Sequence, residues 1–226
     1  MFSQYETQAY EIADSYHGIA IDAKEAGVEI ETSAEEGTRL TFLQNRKHPY
    51  TFSVKDGILT VRLAKNKWYH WLKFGFRQPK MTLLVPKVTY GAISIKSNVG
   101  NVSLSSIACS GEIRLKINTG KVDLENVSCK IFHSGGNTGA VALDNLTAEE
   151  SISIKRNTGR VTLNNCHAPE IYVKTNTGNV CGQLPPNTVF LVRTNTGRIK
   201  TPAPPIGETV SGKCEIQTNT GSVQFE

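Results

Sequence analysis

No apolar run in these 226 residues approaches the ~20 needed to cross a bilayer, and no secretory signal follows Met1. If Met1 is the native start, the expected compartment is the cytoplasm; if a segment before it has been trimmed, that inference fails. Five cysteines without a Cys-x-x-Cys pair exclude a secreted disulfide framework and a zinc ribbon, and the five scattered histidines lack metal-ligand spacing. Gly-x-Ser-x-Gly, a phosphate-binding glycine loop and His-Glu-x-x-His are all missing. The expectation is a non-enzymatic protein with no cofactor, no metal and no small-molecule substrate.

What the sequence does have is a repeat. An Asn-x-Gly turn recurs at Asn98, Asn118, Asn137, Asn157, Asn176, Asn195 and Asn219, in steps of 20, 19, 20, 19, 19 and 24 residues. A period near 20 with a fixed turn marks a solenoid, in which each coil buries its apolar face only against its neighbours. Four residues after each Asn stand Val102, Val122, Val141, Val161, Val180, Ile199 and Val223, all β-branched. Three residues before stand Ile95, Leu115, Ser134, Ile154, Val173, Val192 and Ile216, a column that only Ser134 breaks. Period-two alternation on both sides of the turn reads as two short strands per coil joined at an Asn-Thr-Gly corner. The asparagines, stacked ~4.8 Å apart, are placed to form an amide ladder. The fold expected is all-β: a parallel β-solenoid, read as a right-handed β-helix of about seven coils of 19–20 residues. An antiparallel sandwich also has short strands and regular turns, but it does not require one corner to repeat.

Residues 1–90 read as an N-terminal β cap and 91–226 as the solenoid, together one continuous structural domain. Ile19, Ile21, Val28 and Ile30 occupy the offsets of a degenerate first coil. Further strands are expected over Arg39 to Phe42, Tyr50 to Val54, Ile58 to Leu63 and Met81 to Val85, with Asp56-Gly57 as a hairpin turn. The sequence stops at Glu226, half a coil past the last turn, so a bare C-terminal β edge is expected there, open to homo-oligomer formation. Cys109 and Cys129 each lie eleven after an Asn and should stack at a separation that allows a bridge, although reduced thiols are the simpler expectation.

Charge is unevenly spread beneath the net +5: residues 1–45 carry −7, residues 46–90 carry +9 and residues 91–226 carry +3. Lys96, Lys116, Lys155, Lys174 and Arg193 share the outward position two before the Asn, and Lys121, Arg160 and Arg198 lie three after it. Stacked at strand spacing, they make a basic stripe ~30 Å long. Like charges so close repel, and a polyanion such as an acidic glycan, teichoic acid, anionic lipid or nucleic acid would relieve that repulsion. A solvated edge kept charged for solubility is the competing explanation. The segment Lys65 to Arg77 sets Trp68, Trp71, Lys73, Phe76 and Arg77 together, which suits a membrane interface or a partner contact, and equally a plug over the end of the first coil. Glu125 and Asp144 fall side by side on adjacent coils, near the ~5 Å carboxylate separation of retaining glycosidases, and are the best candidates for a carbohydrate-active enzyme. An exposed carboxylate pair is more often plain surface.

The unit Ile-x-Val-x-x-Asn-Thr-Gly-x-Val, seen from Ile171 to Val180, resembles the repeat of the bacterial putative-adhesin family, a domain of unknown function built from β-strand repeats. Tyr5-Glu6-Thr7 leading into Ile19 to Ile30, the tryptophan-bearing insertion and the Leu83 to Pro86 run agree with it. The resemblance implies a β-solenoid with no catalytic residues to carry over. It also implies an envelope protein, often held behind an N-terminal membrane segment that this sequence does not show. The resulting expectation is a binding or scaffold module of the bacterial cell envelope that contacts an envelope polymer or a protein surface. The alternatives are an enzyme using Glu125 and Asp144, or a nucleic-acid binder using the stripe.

Overall fold

A computed structural model of the chain describes residues 5–45, 49–64, 79–203 and 209–226. Among these there is no helix; the strands form a curled open sheet. From Ala92 onward the pairing is parallel and in the register the repeat predicts: Val102 on Val122, Val122 on Val141, Val141 on Val161, Val161 on Val180. The extra residue of the 20-residue step between Asn137 and Asn157 is absorbed as a register shift between Cys129 and Ile131, at the corner away from the Asn-Thr-Gly turn. Side chains on either side of it therefore keep their faces.

Two corners show why particular residues stand there. At the Asn-Thr-Gly corner the backbones stack so closely that a Cβ on Gly139 (φ 137°) would lie 2.0 Å from the carbonyl oxygen of Gly120. The amide ladder forms beside it. Asn137 Nδ2 donates to Asn118 Oδ1 at 2.6 Å and Asn176 Nδ2 to Asn157 Oδ1 at 2.5 Å. A second corner, eight residues after the first, places Ser106, Asn126, Asn145 and Asn165 in the left-handed region, with φ between 50° and 58°. Asparagine tolerates that conformation better than most residues, and Asn145 Nδ2 donates to Asn126 Oδ1 at 2.7 Å, a second short ladder.

The core is a set of inward rows. Ile93, Ile113, Phe132, Ile152, Ile171 and Cys214 form one of them, and Leu104, Leu124, Leu143 and Leu163 another, all buried. The residue immediately before each Asn also faces inward, which its mixed identities conceal: Ser97, Ile117, Arg156, Thr175 and Thr218 are all buried. Cys109 and Cys129 are both free, and four of the five cysteines are buried. Burial pushes the Cys129, Cys166 and Cys214 thiols up to about 12 and raises Cys109 as well, which suppresses their thiolates at neutral pH. Only the half-buried Cys181 is expected to react with Ellman's reagent in the native protein, against all five in denaturant. Two or more fast thiols in the native state would contradict this packing.

The order of the stack departs from the order of the chain at both ends. Gly18–Lys24 and Gly27–Ser33 do stack on Ala92–Val99 and Val102–Ser105, as the degenerate first coil requires. They are not the outermost layer, however, because Ile58–Leu63 and Lys80–Pro86 pair with their other side, also in parallel. Antiparallel strands finish that end: Tyr50–Lys55 joins through the Asp56-Gly57 hairpin, and Thr38–Asn45 with Tyr5–Ile12 extends the other side. At the far end Glu170–Thr177 pairs with Gly212–Thr220, which in turn pairs with Thr188–Thr196. The ladder follows the same order, since Asn219 Nδ2 donates to Asn176 Oδ1 and Asn195 Nδ2 to Asn219 Oδ1, both at 3.3 Å. The bare edge expected at the C-terminal half-coil is therefore misplaced. The final strands are inserted inside the stack, with Ile216, Val223 and Phe225 buried, and the open edge belongs to Thr188–Lys200. There Leu191 and Ile199 are 47% and 50% exposed, while Phe190 packs its ring on Phe225 at 5.0 Å.

Candidate functional site

The stripe residues are all exposed, and register aligns those that stand two before the Asn, with Lys121, Arg160 and Arg198 beside them across the corner. Lys96 pairs with Lys116, Lys116 with Gly135, Gly135 with Lys155 and Lys155 with Lys174. The inserted C-terminal strand then interposes Gln217 between Lys174 and Arg193, and Ser222 between Asn179 and Arg198. Lys121 is neutralised by Asp123 at 2.5 Å. Among the described residues, Lys96, Lys116, Lys155, Arg160, Lys174, Arg193 and Arg198 have no carboxylate within ion-pair reach. Basic residues elsewhere commonly do: Arg114 pairs with Glu112, Lys130 with Glu150 and Lys80 with Glu29. Lys80 also holds the Glu29 carboxyl below its ordinary range. The stripe is thus a line of uncompensated positive charge. Lys155 is steadied by the Tyr172 ring, 5.8 Å from its Nζ.

One rung interrupts the line, and its irregular residues are used together. Where other coils carry a large inward aliphatic and an outward lysine, this one has Ser134, Gly135 and Gly136. The side chain of Arg156, from the next rung, drops into the space so left: a Cβ on Gly136 would lie 2.1 Å from its Nη1. Ile117 and Gly136 do not pair in the ladder, and Arg156 Nη1 donates to the Ile117 carbonyl at 3.2 Å while Nη2 donates to Ser134 Oγ at 2.9 Å. Arg156 is 4% exposed, and its Nε and the neighbouring Thr175 Oγ1 are buried without hydrogen-bond partners among the described residues. Burial lowers the guanidinium to about 10, so it keeps its charge at neutral pH. Among the described residues no carboxylate pairs with it. Sequence reasoning missed Arg156 because its outward neighbour Lys155 drew the attention; the signal was the triple departure Ser134, Gly135, Gly136.

Over this rung the surface dips. A depression of about 300 Å³ is lined by Gly136, Asn137, Lys155, Arg156, Lys174 and Asn176, among others. A second of about 300 Å³ continues it past Lys174 to Arg193 and Gln217. A third depression, about 540 Å³ between Thr32 and Val88, lies among Glu35, Glu36 and Lys87, away from the stripe.

Glu125 and Asp144 are register neighbours, as the spacing predicts, and both are exposed. They continue on either side into Ser105 and Asn164, on an open strand face outside the three depressions. Among the described residues no three His, Cys, Asp or Glu side chains converge as metal ligands. Trp68, Trp71, Lys73, Phe76 and Arg77 lie outside the described residues.

Comparison with known proteins agrees with this architecture. The family described as Toastrack DUF4097 matches residues 16–185. The structure is similar to that of a "putative adhesin" from Bacteroides fragilis NCTC 9343, with a TM-score of 0.56 and 16% identity over 98% of this chain and 97% of that one. A "putative adhesin" from Parabacteroides distasonis ATCC 8503 gives 0.57 and 11% over 98% and 97%. Both likenesses are of fold. No curated protein matches the sequence.

Proposed function

From the premise that this chain belongs to the Toastrack DUF4097 family, we propose that it is a non-enzymatic binding module of a bacterial cell envelope, holding an anionic polymer along its basic stripe. The observation that carries this reading is the row of stacked lysines and arginines left without carboxylate partners on a fold that pairs its other basic groups readily. Stacked cations at strand spacing cost free energy that a neutral column would not, and a bound polyanion turns that cost into attraction. The adhesin-like names of the structural relatives favour a binding role, and the exposed Glu125 and Asp144 pair, outside the three depressions described above, does not favour catalysis. We read the winding as right-handed, the sense that parallel crossovers strongly prefer, with about seven Asn-turn coils. Self-association, if it accompanies binding, falls to the Thr188–Lys200 edge.

A heparin column tests the reading. Retention should fall steeply with salt, and neutralising Lys96, Lys116, Lys155 and Lys174 together to Gln should weaken binding at least about a hundredfold, at roughly 1 kcal/mol per cation near an anionic surface. Absence of retention at low salt would remove the polyanion reading.

A further inference from the structure

The stripe is interrupted at Gly135 and at Gln217, and the first interruption is the best-equipped point along it. We infer that the depression over Gly136 is a subsite for a single phosphoryl group of a linear phosphodiester polymer, held by Lys155, Lys174 and the Asn157 side-chain amide over the buried cation of Arg156. The inference rests on the polyanion reading above and names its ligand chemistry and its place.

Three observations converge there. The first is a lapse in the amide ladder, which recurs elsewhere only between Asn98 and Asn118: Asn137 bonds to Asn118 and Asn157 to Asn176, but among the described residues nothing joins Asn157 to Asn137. Asn157 Nδ2 is therefore a free donor at the rim. The second is the missing lysine. Gly135 stands in register between Lys116 and Lys155, where the stripe would place a fifth ammonium, and a Cβ there would meet nothing within 4 Å, so no side chain crowds the approach beside Gly136, which lines the depression. The third is Arg156. Arg156, 4% exposed and without a carboxylate partner among the described residues, is a costly buried cation, and low-dielectric walls project its field onto the nearest solvent, which is this depression. Its Nε and Thr175 Oγ1 are left over in the wall beneath Lys174.

The donor set selects among anions. A carboxylate is best met by the two-pronged fork of an arginine, but the fork of Arg156 is already committed to the Ile117 carbonyl and Ser134 Oγ. What remains is two ammonium point charges one rung apart, one amide, and a fixed positive potential from below. A tetrahedral oxyanion, with charge spread over several oxygens, can meet donors from several directions at once. The cations also lie on a line and not across a plane, which suits a chain better than a bilayer surface.

The side-chain amide resonances of Asn157 and Asn176 report on the site in the full chain. Titration with inorganic phosphate should shift them, and sodium acetate at equal ionic strength should shift them at least fivefold less. A glycerol-phosphate oligomer should reproduce the phosphate pattern at lower concentration. Lys155→Gln with Lys174→Gln should weaken the phosphate response at least tenfold, while Lys96→Gln with Lys116→Gln, which removes the same charge elsewhere on the stripe, should change it less than twofold. All four positions are exposed, so the variants should fold. Equal loss in both pairs, or equal shifts from acetate, would overturn the subsite while heparin retention kept the general reading alive. Binding to phosphatidylglycerol vesicles without binding to the oligomer would also overturn it. Phosphate shifts at Asn157 in a protein that heparin does not retain would do the reverse, keeping the site and removing the stripe.

Discussion

Gly139→Ala should cost at least about 3 kcal/mol of stability, or leave no folded protein to measure, whereas Gly135→Ala, four residues earlier, should fall within about 0.5 kcal/mol of the parent. The contrast follows from what each new methyl group would meet. At Gly139 it lies 2.0 Å from the carbonyl oxygen of Gly120, 2.5 Å from its carbonyl carbon and 3.1 Å from its nitrogen, all backbone atoms of the rung below. No side chain can rotate away to relieve that contact, and the φ of 137° already excludes an ordinary L-residue. The rungs would have to separate locally, breaking ladder bonds on both sides, such as Gly120 N to Thr138 O and Gly139 N to Thr158 O. At Gly135 nothing stands within 4 Å. Urea denaturation of both variants measures the difference; a Gly139→Ala protein as stable as its parent would show that the corners do not stack this closely.

A chain ending at Ser211 should lose more than about 5 kcal/mol, because it loses a layer from inside the stack. Ile216, Val223 and Phe225 are fully buried along with Cys214, and each large apolar side chain contributes about 1.5–3 kcal/mol on burial. The loss does not stop at those residues. Glu170–Thr177 is left without a partner on that side, and Thr188–Thr196 without the strand that holds it. Since whole domains are stable by only about 5–15 kcal/mol, the truncated chain is expected to melt far below the parent or to aggregate through its exposed edges. If instead the thermal midpoint moved by only a few degrees, the last strands would be a dispensable outer layer, and the inserted order would be wrong.

The contrast between these two regions shows what the sequence could and could not convey. The inward valines and the Asn-Thr-Gly corner were legible because each depends on one residue type recurring at one offset. Ser134 and Gly135 were legible as exceptions, but their meaning was not. It depends on Arg156, whose position before Asn157 faces inward in a column that also contains isoleucine, serine and threonine, so no hydrophobic pattern marks it. The second corner escaped notice for a related reason: Ser106 heads the column of Asn126, Asn145 and Asn165, and a left-handed φ leaves no periodic apolar trace. The order of rungs was least legible of all. Near-identical repeats present the same columns to either neighbour, so Asn176 can be followed in space by Asn195 or Asn219 without any side chain changing face. Only the longer step of 24 residues between those two hinted that the chain had to travel further.

That exchange of neighbours changes how the molecule comes apart. In an ordinary stack the outermost layer is a chain terminus, a tail that gains full freedom when it peels away and that an exopeptidase can shorten residue by residue. Here the outermost layer, Thr188–Lys200, is tethered on both sides, to Val180–Gln183 before it and Gly212–Thr220 after it. Peeling releases a loop and not a tail, with correspondingly less entropy to drive it. Gly212–Thr220 is clasped between two layers, so an earlier stretch of the chain is folded over a later one and shields it.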